Sequence, residues 1–484
     1  MLFLCIPTKL IISMFRPTIG LEIHAELATP TKMFCMCQNN PHAQDPNTNV
    51  CPVCLAHPGS LPTVNKEAIH KVLRVGTALG STLADFTEFD RKSYFYPDIP
   101  KGYQISQFEY PLVSGGVLCG IPVTRIHLEE DTARSSHVGE GDTSLVDFNR
   151  AGVPLMELVT EPDIHDSKTA GEFARELQLL LRTLGVSEAN LEKGEMRIEA
   201  NISVSNTSTL GTKVEVKNLN SFRSVERAIE YEITRQVGLI ESGGSVEQET
   251  RGWDENKQVT FRQRSKEGSS DYRFFPEPDI PKIMRSEVPE WSEDNLLASL
   301  PELPKQRKLR YENLGIKKDD ALFITAEYER GVFFDEVIAK SNNNTALVLL
   351  ACNYFVSDLA GLLAKEHDTR FEKISPTVFV KLISMAQTNT LSSRGVKNVL
   401  ALLIAQGGEP SAIAQREGLI QVNDTESLRS AVKNVLRENP SEVAQFKNGK
   451  ISMLQYFVGQ GMKATKGAGN PELLKELFEE ELSS

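Results

Sequence analysis

The residues of this chain that could do chemistry are acids and a histidine on strand-like segments, four cysteines in two close pairs, and a spread of lysines and arginines. They are densest between Ile126 and Asp163. Glu157 lies inside Val153-Pro-Leu-Met-Glu-Leu-Val, an apolar run too short for a helix and bounded by Pro, which reads as a buried strand. On a strand, Val153, Leu155, Glu157 and Val159 share one face. An ionised carboxylate in such a row costs several kcal/mol unless something positive compensates it. Glu129, Glu130 and Asp131 crowd three more acids onto the end of Arg125-Ile-His-Leu, where a bound cation or an arginine such as Arg150 would relieve their repulsion. A metal or catalytic cluster and a salt-bridged polar strand face both fit this pattern.

The same theme recurs along the chain. In Ile19-Gly-Leu-Glu-Ile-His-Ala-Glu-Leu the alternation puts Ile19, Leu21, Ile23, Ala25 and Leu27 on one face and Glu22, His24 and Glu26 on the other. Residues two apart on a strand lie about 6.6 Å apart and point the same way, so Glu22 and His24 can converge on one ion, or can equally form a solvated outer face. Cys35-Met-Cys37 and Cys51-Pro-Val-Cys54 are separated by thirteen residues. Each pair supplies one edge of a tetrahedron and the loop closes it, as structural zinc requires. Four thiolates leave no open position for catalysis. Arg91, Lys92 and Lys101 interleave with Tyr94, Phe95, Tyr96 and Tyr103, a pattern that suits either base stacking or a packed strand pair.

Met196 to Val204 reads as a strand with Arg197, Glu199, Asn201 and Ser203 on its polar face. Lys217 closes Val214-Glu-Val-Lys just before a helix expected from about Phe222 to Ile240, capped by Ser221 or Asn220, where anions are favoured. Arg262, Arg264, Lys266 and Arg273 surround a turn and could clamp phosphate or carboxylate, or be surface cations. There is no G-x-x-x-x-G-K-[ST] phosphate loop, no G-x-S-x-G elbow and no H-E-x-x-H helix. Chemistry must then rest on carboxylates, a bound metal and cations.

The elements that position these residues fall into an α+β order: a mainly β lobe, then a helical domain, then a small helical tail. With 484 residues, 40% hydrophobic and 24% charged, the chain has room for about three domains. The boundaries expected are 16–290 for the first lobe with a zinc-binding insertion at 35–54, 291–406 for the helical domain and 407–484 for the tail. Residues 1–15 are expected to form a dispensable extension, too short and too interrupted by Pro7 and Lys9 to span a bilayer. No membrane association is expected. A net charge of −12 excludes a nonspecific nucleic-acid binder driven by global charge and leaves local basic patches. Seven cysteines with only the quartet clustered suit a reducing compartment.

At IGLEIHAEL, DRKSYFYPDIPKGYQISQFEYPL, HLEEDTARSSH, DFNRAGVPLMELVTEPD and KVEVKNLNSF, the sequence resembles the B subunit of the tRNA-dependent aspartyl/glutamyl amidotransferases. The likeness continues through DYRFFPEPDIP to FVGQGMKATKGAGNPELLKELFEEEL. It implies a catalytic cradle that uses ATP and magnesium to phosphorylate the side-chain carboxylate of Glu or Asp mischarged on tRNA. Ammonia from a partner amidase (A) subunit then attacks, and a small C subunit completes the complex. The helical domain and tail would hold the tRNA.

Carried onto this chain, the magnesium and catalytic positions fall on Glu22, His24, Glu130 and Glu157. Lys217 is expected in the catalytic set, and Arg150, Arg262, Arg264 and Arg273 in ATP binding. A further metal-ligating acid, usually aspartate in the family, is Glu199 here. Cys35, Cys37, Cys51 and Cys54 match the zinc-containing members. The resemblance leaves open whether Gln-tRNA, Asn-tRNA or both is the product. It implies a bacterial-type cytoplasmic protein, with an organellar form also open. Two other readings remain: an ATP-dependent carboxylate-amine ligase acting on a free small molecule, and a noncatalytic zinc-bearing tRNA-binding protein.

Overall fold

Five apolar residues of one strand fix the orientation of the central sheet. β1 (Arg16–Glu26) buries Ile19, Leu21, Ile23 and Ala25, and Leu27 follows just beyond it, all at most 1% exposed. Each of the isoleucines and leucines contributes about 2 kcal/mol on burial, so a one-residue slip that turned this face outward would be prohibitive. Glu22, His24 and Glu26 are thereby committed to the opposite face. The protein is described by a computed structural model over residues 15–137, 143–265, 272–365, 371, 373–421, 425–465 and 469–483. Residues 1–14, most of the expected extension, lie outside the described set, as do Lys266 and Lys466. Phe15 packs against the first core.

Along the chain follow α1 (Lys66–Ala78), β2 (Ile121–Glu130), β3 (Pro154–Thr160), α2 (Ser167–Thr183), β4 (Met196–Ser205), β5 (Val214–Leu219), α3 (Phe222–Glu241), β6 (Glu249–Asp254) and β7 (Val259–Ser265). The strands pair in the order β7-β6-β5-β4-β1-β3-β2, and the sheet continues through the short strands Val113–Ser114 and Thr82–Leu83. Only β5 and β6 run parallel among these paired strands. The inner face of the sheet shares one core with Ile69 and Val72 of α1, Phe173 and Leu177 of α2, and Val225 and Ile229 of α3. This gives a two-layer arrangement with the other face of the sheet available for chemistry.

Local sequence sets the helix starts. Asn65 caps α1 by accepting from the Glu67 and Ala68 amides, Asp166 caps α2 through Thr169, and Ser221 caps α3 through Ser224. Gly76 in α1 is required by packing: a Cβ there would sit 2.8 Å from Val113 and 2.9 Å from Leu83.

The α+β order expected from sequence is the order observed. The first compact unit runs to Pro304. Trp291 and Leu296 are buried in the first core, with Leu300 and Leu303 packed against it. The change to helical texture thus precedes the end of the lobe. The second unit, Lys305–Ser484, holds two hydrophobic cores. The first of these extends past 406 to Ile413, Ala414 and Leu419, because Gly407 and Gly408 (φ 68° and 112°) cap a helix and turn the chain without ending the domain. The second is built from Leu428, Val432, Phe457, Leu474 and Phe478.

The helical stretch Thr345–Lys365 is long and apolar enough to cross a bilayer. Val348, Ala351, Cys352, Phe355, Leu359 and Leu363 of that stretch are buried in the second core, which accounts for its composition.

Candidate active site

Strand register brings the acids together. His24 on β1 lies opposite Glu157 on β3 and Arg197 on β4. Glu22 lies opposite Glu199 on β4, and Glu157 opposite His127 on β2. Leu155 of β3 pairs with Glu129, so His127 and Glu129 point to the same side as Glu157. These residues line a cavity of about 700 Å³ with Lys92, Lys217 and Arg125 on its walls.

At its centre, His24 Nε2 lies 3.3 Å from Glu157 Oε2 and 3.6 Å from Glu129 Oε1. His127 Nε2 is also 3.3 Å from Glu157 Oε2, and Arg125 lies 3.9 Å from its other oxygen. Lys217 Nζ bonds Glu199 at 2.7 Å and approaches Glu215 at 3.5 Å. Lys92 lies 5.3 Å over the Tyr272 ring, with Tyr94 at 6.0 Å.

The proton affinities follow from this crowding. Burial alone would depress the His24 imidazolium, but its bond to Glu157 and the charges of Glu157, Glu129 and Glu22 raise it to about 9. Glu157 shows the converse: burial would raise its carboxyl, and His127 and His24 hold it well below the usual range. Glu22 is pushed up, first by burial and then by Glu157. Lys92 is raised, with the charges of Glu129, Glu157 and Glu22 outweighing its burial. Lys217 is raised by Glu199 and Glu215 against the effect of its burial.

His24 therefore carries a proton at neutral pH when no metal competes for its partners. The folded value lies above the 6.5 of an unperturbed histidine, so its stabilising contribution is complete below about pH 6.5 and is lost as pH rises through about 9. In magnesium-free buffer the melting temperature should fall across that window, and His24→Asn should flatten the fall. An equal fall in both proteins would show that the stability comes from elsewhere.

Three groups of side chains have ligand atoms within 4.8 Å of one another: Glu22, His24 and Glu157; His127, Glu129 and Glu157; and Glu22, Glu199 and Glu215. Such oxygen-rich sets, two with one imidazole and one of carboxylates alone, suit a hard divalent cation.

The other expected residues are placed differently. Glu130 turns away from this cavity: Lys101 Nζ donates to it at 2.7 Å, and its Oε1 accepts the Ile105 amide at 3.0 Å. Its neighbour Glu129 faces the cluster instead. Sequence showed that 129 and 130 lie on opposite faces of a strand, but only the register against β3 shows which face meets Glu157. Arg150 is engaged outside the cavity, 3.7 Å from Asp131 and donating to the Thr132 and Ala133 carbonyls. Asp131 also takes Arg197 at 2.8 Å, and the two arginines hold its carboxyl low despite burial. Arg262 lies on the edge strand β7, paired with Glu247 and Glu249 at 3.2 Å each. Arg264 is on the same strand with its side chain outside the described set. Arg273 stands at φ 46° between Tyr272 and Phe274, and it is these two aromatics that line the cavity. His127, Lys213 and Glu215 are cavity groups that sequence reasoning did not single out, and Lys92 was read only as part of the cation–aromatic stretch.

The four cysteine sulfurs also lie within 4.8 Å of one another, with Cys51 and Cys54 3.8 Å apart. A tetrahedron of Zn–S bonds of about 2.3 Å has edges of about 3.8 Å, so the set fits zinc. Lys32, fully buried, donates to the Asn49 and Phe148 carbonyls at 2.9 and 3.3 Å and lies 3.8 Å from Cys54 Sγ. The Cys54 thiol is lowered to about 5, first by the hydrogen bond from Cys35 and, among weaker causes, by Lys32.

Comparison with known proteins gives the same outline. The GatB/GatE catalytic domain description matches residues 17–289 and the GatB domain description matches 332–482. The B subunit of the chloroplastic/mitochondrial glutamyl-tRNA(Gln) amidotransferase of Ricinus communis is 42% identical, the alignment covering 97% of this chain and 87% of the relative. The B subunit of the aspartyl/glutamyl-tRNA(Asn/Gln) amidotransferase of Crocosphaera subtropica is 40% identical over 97% of this chain and 98% of its own length. Matched by both domain descriptions and by relatives of nearly its whole length, the chain belongs to the GatB/GatE family of tRNA-dependent amidotransferase B subunits.

Proposed function

We propose that this protein is the ATP-dependent half of an amidotransferase that converts Glu on tRNA(Gln), Asp on tRNA(Asn), or both, to the amide. The observation that carries this reading is the convergence of Glu22, His24, Glu129, Glu157 and Glu199 from four strands on one cavity that also holds Lys92 and Lys217. A carboxylate is a poor acceptor of an amine because its leaving group would be oxide. Phosphorylation makes that oxygen a phosphate leaving group, and the reaction needs positive charge where phosphate is transferred. Magnesium, when bound, supplies that charge.

Glu22, His24 and Glu157 would hold the magnesium, with Glu129 taking the part that the family likeness assigned to Glu130 and Glu199 completing the set on β4. Lys92 and Lys217 would orient phosphate oxygens as fixed cations in a partly dry cavity. The acyl phosphate forms on the substrate, and ammonia delivered from an amidase (A) subunit displaces phosphate; a C subunit completes the assembly. Cys35, Cys37, Cys51 and Cys54 would hold zinc as a structural ion.

The test is amidation of each mischarged tRNA by the reconstituted three-subunit complex with ATP and ammonium. Absence of ATP-dependent amide formation on both tRNAs would reject this reading. The bacterial-type cytoplasm is the compartment we propose, and fractionation tests it, because relatives carry both bacterial and chloroplastic/mitochondrial names.

The third core, from Leu428 to Leu482, is the proposed tRNA-binding tail. Truncation after Gln421 should leave the first lobe folded and weaken tRNA binding. Because the contacts would be mainly to phosphate, the dependence of affinity on salt should flatten as well. Unchanged affinity and slope would show that the tail contributes no binding.

A further inference from the structure

One arginine of the acid cavity is held from behind by a buried relay. Arg197 projects from β4 opposite His24, on the polar face that also carries Glu199, and lines the cavity with its side chain 33% exposed. Glu26, Glu129 and Asp131 face it, and its one side-chain hydrogen bond among the described residues runs from Nη2 to Asp131 Oδ2 at 2.8 Å. Asp131 is fixed in turn. Its side chain is 3% exposed, its Oδ1 accepts the Thr132 amide at 2.8 Å, and Arg150 stands 3.7 Å from Oδ2 while donating to the Thr132 and Ala133 carbonyls. With Arg150 and a backbone amide already on it, Asp131 does not need Arg197 for its own compensation.

A guanidinium presents five N–H donors in a planar fork that matches the two oxygens of a carboxylate. Lys92, Lys213 and Lys217 are point charges without that geometry, and Arg125, the other arginine on the cavity wall, stands 3.9 Å from Glu157 inside the acid cluster. Resting on the function proposed above, we infer that Arg197 holds the side-chain carboxylate of the amino acid on tRNA, with Asp131 as its positioning residue. In the phosphorylation, one carboxylate oxygen bonds to the γ-phosphorus of ATP as the bond from phosphorus to the ADP oxygen breaks, and ADP leaves with that electron pair. Arg197 donates to both carboxylate oxygens beforehand and keeps the one that is not phosphorylated, which becomes the oxygen of the amide. The acyl carbon is thereby held in place for the amine. The product carboxamide turns an NH2 group toward a donor of the fork, so the site that holds the acid rejects the amide.

The experiment measures the affinity of the reconstituted complex, with magnesium and a non-hydrolysable ATP analogue, for one tRNA charged in turn with the acid and with its amide, Glu against Gln or Asp against Asn. Melting temperature and the KM values for ATP and aminoacyl-tRNA are read on the same preparations. The parent should bind the acid form at least about tenfold more tightly. Arg197→Lys keeps a cation beside Asp131 and loses the fork, so it should melt like the parent, lose most of that preference and raise the KM for aminoacyl-tRNA with the KM for ATP unchanged. Asp131→Asn keeps Arg197 and loosens it, and should show a smaller loss of the same preference; an unchanged preference there overturns the positioning role. Should Arg197→Lys melt early, Arg197→Gln combined with Asp131→Asn is the deciding variant, because it removes both charges of the pair together. A parental preference in the deciding variant makes Arg197 a structural partner of Asp131 and overturns the inference. So does a raised KM for ATP with the preference intact, which assigns Arg197 to the nucleotide. A parent that amidates yet binds both charged forms equally overturns it too, whereas a parent with no ATP-dependent amidation removes the function beneath it.

Discussion

Glu157→Gln is expected to yield a folded protein in which ATP-dependent amidation falls roughly a thousandfold or more, equivalent to about 4 kcal/mol of transition-state stabilisation. Glu157 is 5% exposed and belongs, like Glu22, to two of the three acid-containing groups among the described residues, so the amide keeps the shape and removes the charge that a dication needs. Removing one partner of a buried charged pair can cost about 3–5 kcal/mol when the other stays charged and unpaired. Here the close partners are imidazoles, and Arg125, 3.9 Å away, is partly exposed to solvent. His24 owes its raised value mainly to Glu157 and can release its proton once that carboxylate is gone. The variant should therefore lose little melting temperature, and Glu22, no longer repelled by Glu157, should ionise more readily. Ammonium should not rescue turnover, because the lost step precedes amine attack. A variant that melts early but amidates normally per folded molecule would make Glu157 a structural anchor and end the metal-site reading.

What sequence could and could not disclose follows from the range of each signal. Alternation in β1 and Glu157 within an apolar run are local patterns, and both segments lie where those patterns put them. The cap at Ser221 and the extent of α3 are equally local. The identity of the third acid was not local. Glu129 and Glu130 are adjacent and alike, and only pairing of β2 with β3 selects Glu129. Arg150 and Arg262 looked available because a sequence does not display their partners, Asp131 in one case and Glu247 and Glu249 in the other. Lys32 drew no notice because a lysine in a loop reads as solvated, and its complete burial depends on backbone carbonyls contributed from two distant segments. Helical texture begins near 291 while the first compact unit runs to Pro304, because texture reports secondary structure, whereas a compact unit ends where its core stops acquiring side chains.

Lys32 also provides a test of zinc through its response to a chelator. Zinc with four thiolates carries a net charge of −2, and a fully buried ammonium 3.8 Å from Cys54 Sγ is a counter-charge for such a cluster. Without zinc, only Cys54, whose thiol is lowered to about 5, would give the ammonium a thiolate partner, one negative charge in place of two. Lys32→Met keeps the length of the side chain and removes its charge. If zinc is bound, the variant should lose the metal to a mild chelator faster than the parent and melt lower. If the quartet carries no metal, a chelator has nothing to remove, and it should leave the melting temperatures of parent and variant unchanged. Cys51→Ser should remove zinc outright and destabilise the lobe by about 3 kcal/mol or more. The loss should reach the acid cavity, because the loop between the cysteine pairs is fastened to the segment that enters β3. The Asn49 amide donates to Asn149 at 2.7 Å, the Asn149 side chain donates to the Asp45 carbonyl at 2.8 Å, and the Met33 amide donates to the Gly152 carbonyl at 2.7 Å. Chelation should therefore lower amidation together with melting temperature, and re-addition of zinc should restore both. Well under one zinc per chain in freshly purified protein, with parent and Lys32→Met both unmoved by the chelator, would show that the quartet is four reduced cysteines holding no metal.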